Sequence, residues 1–227
     1  MDRQQRERAI LGQLAQGNLP AFLRRLISVE LKSKSATATI FVMPEYLAIG
    51  SDDDFLRIPM NLHTAIFIAD RFGFVLPTRK MVDAIYDHAH FRFTPQPLPA
   101  GPQMTSTHYY QTHNTMINAQ AGSRDFPSGA LVAGHKKDVV LTNRLTRMAG
   151  RIAIYGWHRA PGMPIQPLST VHGAAYADYS HGIRLVAGKA LVEGRLHSVV
   201  DMFENSTLAM ALSYEGPIPV ASILASS

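Results

Sequence analysis

The chain reads as an α+β protein. Three observations carry that reading. Apolar residues recur at helical spacing over much of the first 120 positions. Short β-prone runs dominate beyond residue 130. The two kinds of pattern fall in blocks rather than in strict alternation, which disfavours a doubly wound parallel sheet. The expected architecture is a helical N-terminal half packed on a mainly antiparallel sheet from the C-terminal half. We expect a single domain over 1–227, with 94–102 (Pro95, Pro97, Pro99 and Pro102) as the one internal boundary or wrapping loop.

Residues 4–16 predict a short helix, with Ile10, Leu11 and Leu14 on one face and Gly17-Asn18 ending it. Pro20 opens a second helix with Phe22, Leu23, Leu26 and Ile27 inward. From Ala36 to Met43 the period changes to two, a strand, and Tyr46–Ile49 reads as its partner after the Pro44-Glu45 turn. Asp52-Asp53-Asp54 lacks the alternating spacing, central Gly and final Glu of a calcium loop and reads as a solvated turn. Asn61 caps a helix with Leu62, Ala65, Ile66 and Ala69 inward and Gly73 beyond its end. Leu76-Pro77-Thr78 starts the next, with the stripe Met81, Val82, Ile85 and Ala89. A polar helix follows near 112–120. Short strands are expected at 130–133, 139–142 and 151–155, a hairpin at 183–192, and helices at 196–203 and 208–212.

Composition narrows the chemistry. Apolar residues make up 46% and charged ones 17%, a globular balance with enough bulk for a full core. With no cysteine, disulfides, thiolate zinc sites and cysteine nucleophiles are excluded. No run approaches the ~18 apolar residues of a membrane span. The run Met1 to Arg8 is followed by no long hydrophobic segment and does not read as a secretory signal, which leaves the cytoplasm as the default compartment and an exported mature chain as the alternative. Residues 1–34 carry seven Lys/Arg and three Asp/Glu, so most of the +5 net charge is a basic N-terminal face. That face lacks the interleaved aromatics of a nucleic-acid stripe.

The chemistry-bearing residues concentrate between Gly134 and Arg184. His135, Lys136, Lys137 and Asp138 enter a strand; Trp157 and His158 end another; Asp178, Tyr179, Ser180, His181 and Arg184 follow Val171-His172-Gly173. We expect these to meet in one polar cleft. Histidine serves as base or ligand near neutral pH. The expected catalytic set is His135, Asp138, His158, Asp178, Ser180 and His181, with the aspartates orienting the rings. Lys137 and Arg184 would bind substrate charge, and Trp157 and Tyr179 would wall the site. A zinc alternative uses two or three of His135, His158, His172 and His181 with Asp138 or Asp178, without any fixed ligand spacing such as H-E-x-x-H.

His172-Gly173 followed by Ser180-His181-Gly182-Ile183-Arg184-Leu185 resembles the L,D-transpeptidase signature, in which HG precedes an S-H-G-C-x-R run. The nucleophilic cysteine is missing here and the gap between the parts is shorter, so the thiolate activity does not transfer. What the resemblance implies is a cell-wall-type substrate. From the acid–base residues of the cleft, the expected function is a hydrolase acting on an amide or glycosidic bond of a polar polymer, or on a small molecule. The alternatives are a glycan- or peptide-binding module built on Trp157, Tyr176, Tyr179 and Arg184, and a structural protein.

Overall fold

The computed structural model describes residues 2–34, 36–122 and 127–225. Its helices are α1 (Arg3–Ala15), α2 (Leu62–Arg71), α3 (Arg79–His88), α4 (Thr107–Gly122), α5 (Val199–Glu204), α6 (Ala209–Leu212) and α7 (Val220–Ala225). The strands of the first half are β1 (Ile27–Lys32), β2 (Thr37–Val42), β3 (Ala48–Gly50), β4 (Phe55–Arg57), β5 (Phe74–Val75) and β6 (Phe91–Arg92). Those of the second half are β7 (Val132–Ala133), β8 (Lys137–Val139), β9 (Ile154–Ala160), β10 (Met163–Ser169), β11 (His181–Gly182), β12 (Val186–Ala187), β13 (Lys189–Val192) and β14 (Arg195–Ser198). The fold is α+β with mainly antiparallel pairing, as expected. No helix among the described residues is long and apolar enough to cross a membrane.

Two sheets organise it. The larger runs β14-β13-β2-β12-β5, with β1 paired along the whole of β2 from Ile27↔Val42 to Lys32↔Thr37. It draws strands from both halves of the chain, so the halves interlock. The second sheet runs β10-β9-β8-β11, and its β8–β11 pair is parallel, with His181 opposite Lys137 and Gly182 opposite Asp138.

α3 lies against β1 and β9 and so bridges the two sheets. Its buried stripe Met81, Val82 and Ile85 is the one the spacing predicts, and each such side chain stabilises by about 1.5–3 kcal/mol through burial. The Thr78 hydroxyl accepts from Met81 N and closes its first turn; Asn61 does the same for α2 through Thr64 N.

Several expectations are corrected. The second helix is only a 3-10 turn over Ala21–Arg24, and the chain then extends as β1, whose Val29 and Leu31 face the core at period two. Residues 48–50 pair with β4, not with β2, whose edges are taken by β1, β12 and β13. The 183–192 hairpin does not form, because β12 and β13 both pair with β2, and β13 makes its hairpin with β14. In the proline-rich 94–102 segment, Leu98 N donates to the Tyr179 hydroxyl at 2.7 Å.

Candidate functional site

The residues expected to share one cleft fall into four groups of contacting side chains, buried or half-buried. The first centres on Glu45. Its Oε2 accepts from Arg57 Nε at 2.8 Å, and its Oε1 meets His135 Nε2 and Tyr46 N at 2.7 Å each. Arg57 Nη1 reaches Asn114 and Asn118 of α4. Tyr46 and Phe93 pack edge-on against the His135 ring. Burial by itself would raise the Glu45 carboxyl, but Arg57 and His135 outweigh it and hold it far below the carboxylate range; burial pushes His135 down to about 4. His135 is thus a neutral member of a structural cluster.

In the second network the Tyr46 hydroxyl donates to Asp138 Oδ2 at 2.8 Å, and burial pushes the Asp138 carboxyl up to about 6. Arg184 crosses the Tyr46 ring at 4.4 Å. Its guanidinium fork donates to the carbonyls of Met43 (2.8 Å) and Val132 (2.7 Å), so it ties backbone together rather than clamping a ligand. The third network is His158 with Asp83 at 3.0 Å; Tyr155 donates to the same oxygen at 2.8 Å, and the His158 ring stacks on Tyr86. Asp83 lies on α3, whose packing on β9 sets this pair.

The fourth network brings six of the expected residues together: Lys137, Trp157, Asp178, Tyr179, Ser180 and His181. It is positioned by the parallel β8–β11 pair, which sets His181 beside Lys137. Gly182 permits the approach, since a Cβ there would lie 2.6 Å from the Tyr46 ring and 2.9 Å from Lys136 Cβ. Asp178 Oδ1 accepts from Ser180 N at 2.8 Å and from Ser180 Oγ at 2.6 Å, so the serine hydroxyl is held as a donor to this carboxylate. Asp178 Oδ2 accepts from the Tyr176 hydroxyl and lies 3.8 Å from His181 Nε2. Neither ring nitrogen of His181 has a hydrogen-bond partner among the described residues, and the ring is wholly buried. Burial pushes His181 down to about 4, with Asp178 opposing. Burial would raise Asp178, but His181, Ser180 and Lys137 hold it below its ordinary value. The pair at neutral pH is a carboxylate facing a neutral imidazole.

Trp157 is the second anomaly. After Gly156 at φ 108°, it sits at φ 56° inside β9, a conformation that costs a bulky L-residue about 1–3 kcal/mol. The twist sets its indole 5.2 Å from Lys137 Nζ and edge-on to His113 and Tyr179. Its Nε1 also lacks a hydrogen-bond partner among the described residues. Behind them the buried Lys136 amine donates to Tyr179 O at 2.6 Å and meets His113 Nδ1 at 3.3 Å; burial, with Arg57, pushes it down to about 7. On the outer side His172 stacks on Tyr176 at 4.1 Å, and this half-buried pair covers His181.

Glu45, Arg57, Asp83 and the role of His113 were not legible beforehand. Their partners lie far off along the chain, 90 residues for Glu45 with His135 and 75 for Asp83 with His158, and no local spacing marks them. Among the described residues no three His, Cys, Asp or Glu side chains converge as metal ligands, so the zinc alternative has no ligand set here.

No family model matches the chain, and neither the curated proteins nor the solved structures contain a match. The transpeptidase resemblance therefore rests on its dozen residues alone.

Proposed function

We propose that the chain is a hydrolase acting on an amide or glycosidic bond of a polar substrate, with Asp178 and His181 as its acid–base pair. The observation that supports this is the His181 imidazole: buried, neutral and unbonded, yet facing an ionised carboxylate. A buried polar ring without a partner costs about 1–3 kcal/mol, and such costs persist where function requires them. In the proposed step His181 takes a proton from the attacking water and returns it to the leaving nitrogen or oxygen. Asp178 stabilises the imidazolium formed in between. On an amide substrate, Lys137, beside His181 across the strand pair, stabilises the oxyanion of the tetrahedral intermediate. The Trp157 ring walls the substrate. Access requires the stacked His172–Tyr176 pair to part.

The test is turnover of peptide anilides, aryl glycosides and peptide-crosslinked glycan by the wild type, His181→Asn and Asp178→Asn, with far-UV circular dichroism as the folding control. Loss of about 100-fold or more in kcat with the fold retained supports the reading. Turnover by His181→Asn at the wild-type rate, or none by the wild type on any of these substrates, overturns it.

The strained Trp157, with its indole N–H unpartnered beside Lys137, supports a second reading as a glycan- or peptide-binding module. Trp157→Ala would then lose affinity for a ligand that the wild type binds without turnover.

A further inference from the structure

An open pocket of about 620 Å³ is lined by Arg79, at the start of α3, and by Asn143, Arg144, Arg147, Leu168 and Glu215 among others. That volume falls within the ~300–1,000 Å³ range of small-molecule sites. We propose that it binds a phosphate-bearing small molecule through Arg79, Arg144 and Arg147.

The charge balance points to a multivalent anion. Three arginines line the pocket against one carboxylate, and that carboxylate is hydrogen-bonded. Glu215 accepts from the Thr142 hydroxyl at 2.9 Å and from Asn143 N at 2.7 Å, where it fastens the 3-10 turn Asn143–Arg147. Arg147 makes no hydrogen bond or ion pair with any described residue, and Arg144 makes one bond, to Leu168 O. Arg79 is held in place by the rings of Tyr155 and Tyr214, 5.8 and 5.1 Å from its guanidinium carbon. Its Nε is buried with no hydrogen-bond partner among the described residues. Asp83, one turn on along α3, hydrogen-bonds His158, Tyr155 and Tyr214 and makes no direct ion pair with it.

The placement also runs against local electrostatics. Arg79 and Lys80 open α3 and no acid stands in its first turn, although the N-terminal end of a helix favours negative side chains. Positive residues at a positive helix end are destabilising alone and become favourable when an anion sits between them. A phosphate group carries about −1.5 to −2 charges at neutral pH and matches the guanidinium fork.

The test is calorimetric titration with pyrophosphate at low ionic strength on the wild type, Arg147→Gln and Arg144→Gln/Arg147→Gln. One-site binding is expected, weakened by salt. Each lost guanidinium weakens it about tenfold, the factor equivalent to ~1.4 kcal/mol. Both arginines are exposed, so melting temperature should not move and a fall in affinity reads as lost contact. A nucleoside triphosphate and vesicles of anionic phospholipid, run in parallel, separate a free ligand from a lipid headgroup as the source of the phosphate. No saturable binding of pyrophosphate, equal affinity in the double variant, or tighter binding of citrate than of pyrophosphate overturns the proposal.

Discussion

Glu45→Gln removes one charge from the middle of the molecule while keeping the shape of the side chain. Glu45 and Arg57 each expose 4% of their side chains, so the variant leaves a guanidinium buried without its counter-charge. Breaking a buried pair in this way costs about 3–5 kcal/mol. Asn114 and Asn118 still accept from Arg57 Nη1, which places the expectation at the lower end, near 3 kcal/mol. For a chain of this size that corresponds to a fall in Tm of about 6–12 °C. Equilibrium unfolding in urea, followed by the fluorescence of Trp157, the only tryptophan and 4% exposed, should show a lower midpoint at constant slope. The Glu45→Gln/Arg57→Met variant, with no charge left stranded, should be more stable than the two single losses added together predict. A cost under about 1 kcal/mol, the level of a surface pair, or strict additivity in the double variant, would refute the assignment of this network as the electrostatic keystone of the fold.

Further outcomes follow from the same geometry. Stability should fall as pH drops below about 6.5. His135 and His181 stay neutral in the fold until about 4 and His113 until about 2, so the unfolded chain binds more protons in that window. Each such proton gives a slope of about 1.4 kcal/mol per pH unit. Asp138, with its carboxyl raised to about 6, opposes this between about pH 6 and 3.8; chemical denaturation from pH 7 to 5 measures the net, and a flat profile would contradict the buried neutral rings. Gly182→Ala should destabilise by about 1–3 kcal/mol, because the new methyl meets the Tyr46 ring and Lys136 at under 3 Å; an unchanged Tm would show that Tyr46 can move aside. His181→Leu should raise Tm while abolishing any turnover.

How much of this was readable beforehand depended on the range of the interactions. α2 and α3 were legible because cap and stripe lie within one run: Asn61 and Thr78 at the start, with Ala65 or Met81, Val82 and Ile85 on one face. β1 was not, because Leu26 and Ile27 extend a helical spacing from Phe22, and only pairing along β2 pulls the chain straight. β10 carries Pro164 and Pro167, residues that argue against a strand, and it is found where they are tolerated, at an edge of its sheet. The site divides in the same way. Asp178, Ser180 and His181 lie within four residues, and their local contacts agree with the polar density of that stretch. The reach of His135 to Glu45 and of His158 to Asp83 is set by tertiary packing. The expectation of a shared cleft failed because sequence proximity between Gly134 and Arg184 was taken for proximity of side chains. β8, β9 and β11 are indeed neighbours, but their alternating residues leave on opposite faces.

If the proposed function holds, the contrast between the buried networks is the guide to which of them would act on a ligand. Around Glu45 every carboxylate oxygen has a donor and Arg57 has three acceptors, and His135 Nδ1 alone goes without a partner among the described residues. Around His181 both imidazole nitrogens and the Trp157 N–H lack a partner among the described residues. Hydrogen bonds left unmade in a core stabilise nothing, and an apolar side chain of similar size would do better by about 1–3 kcal/mol. Glu45→Gln and His181→Leu should therefore shift stability in opposite directions, although both replace a buried ionisable group. If His181→Leu instead lowers Tm as Glu45→Gln does, the imidazole is a packing element and its neighbourhood with Asp178 is no basis for catalysis. If it raises Tm, the chain is retaining a destabilising residue at the point where Lys137, Asp178 and a strained Trp157 meet, and selection for chemistry at that point is the physical reason to retain it.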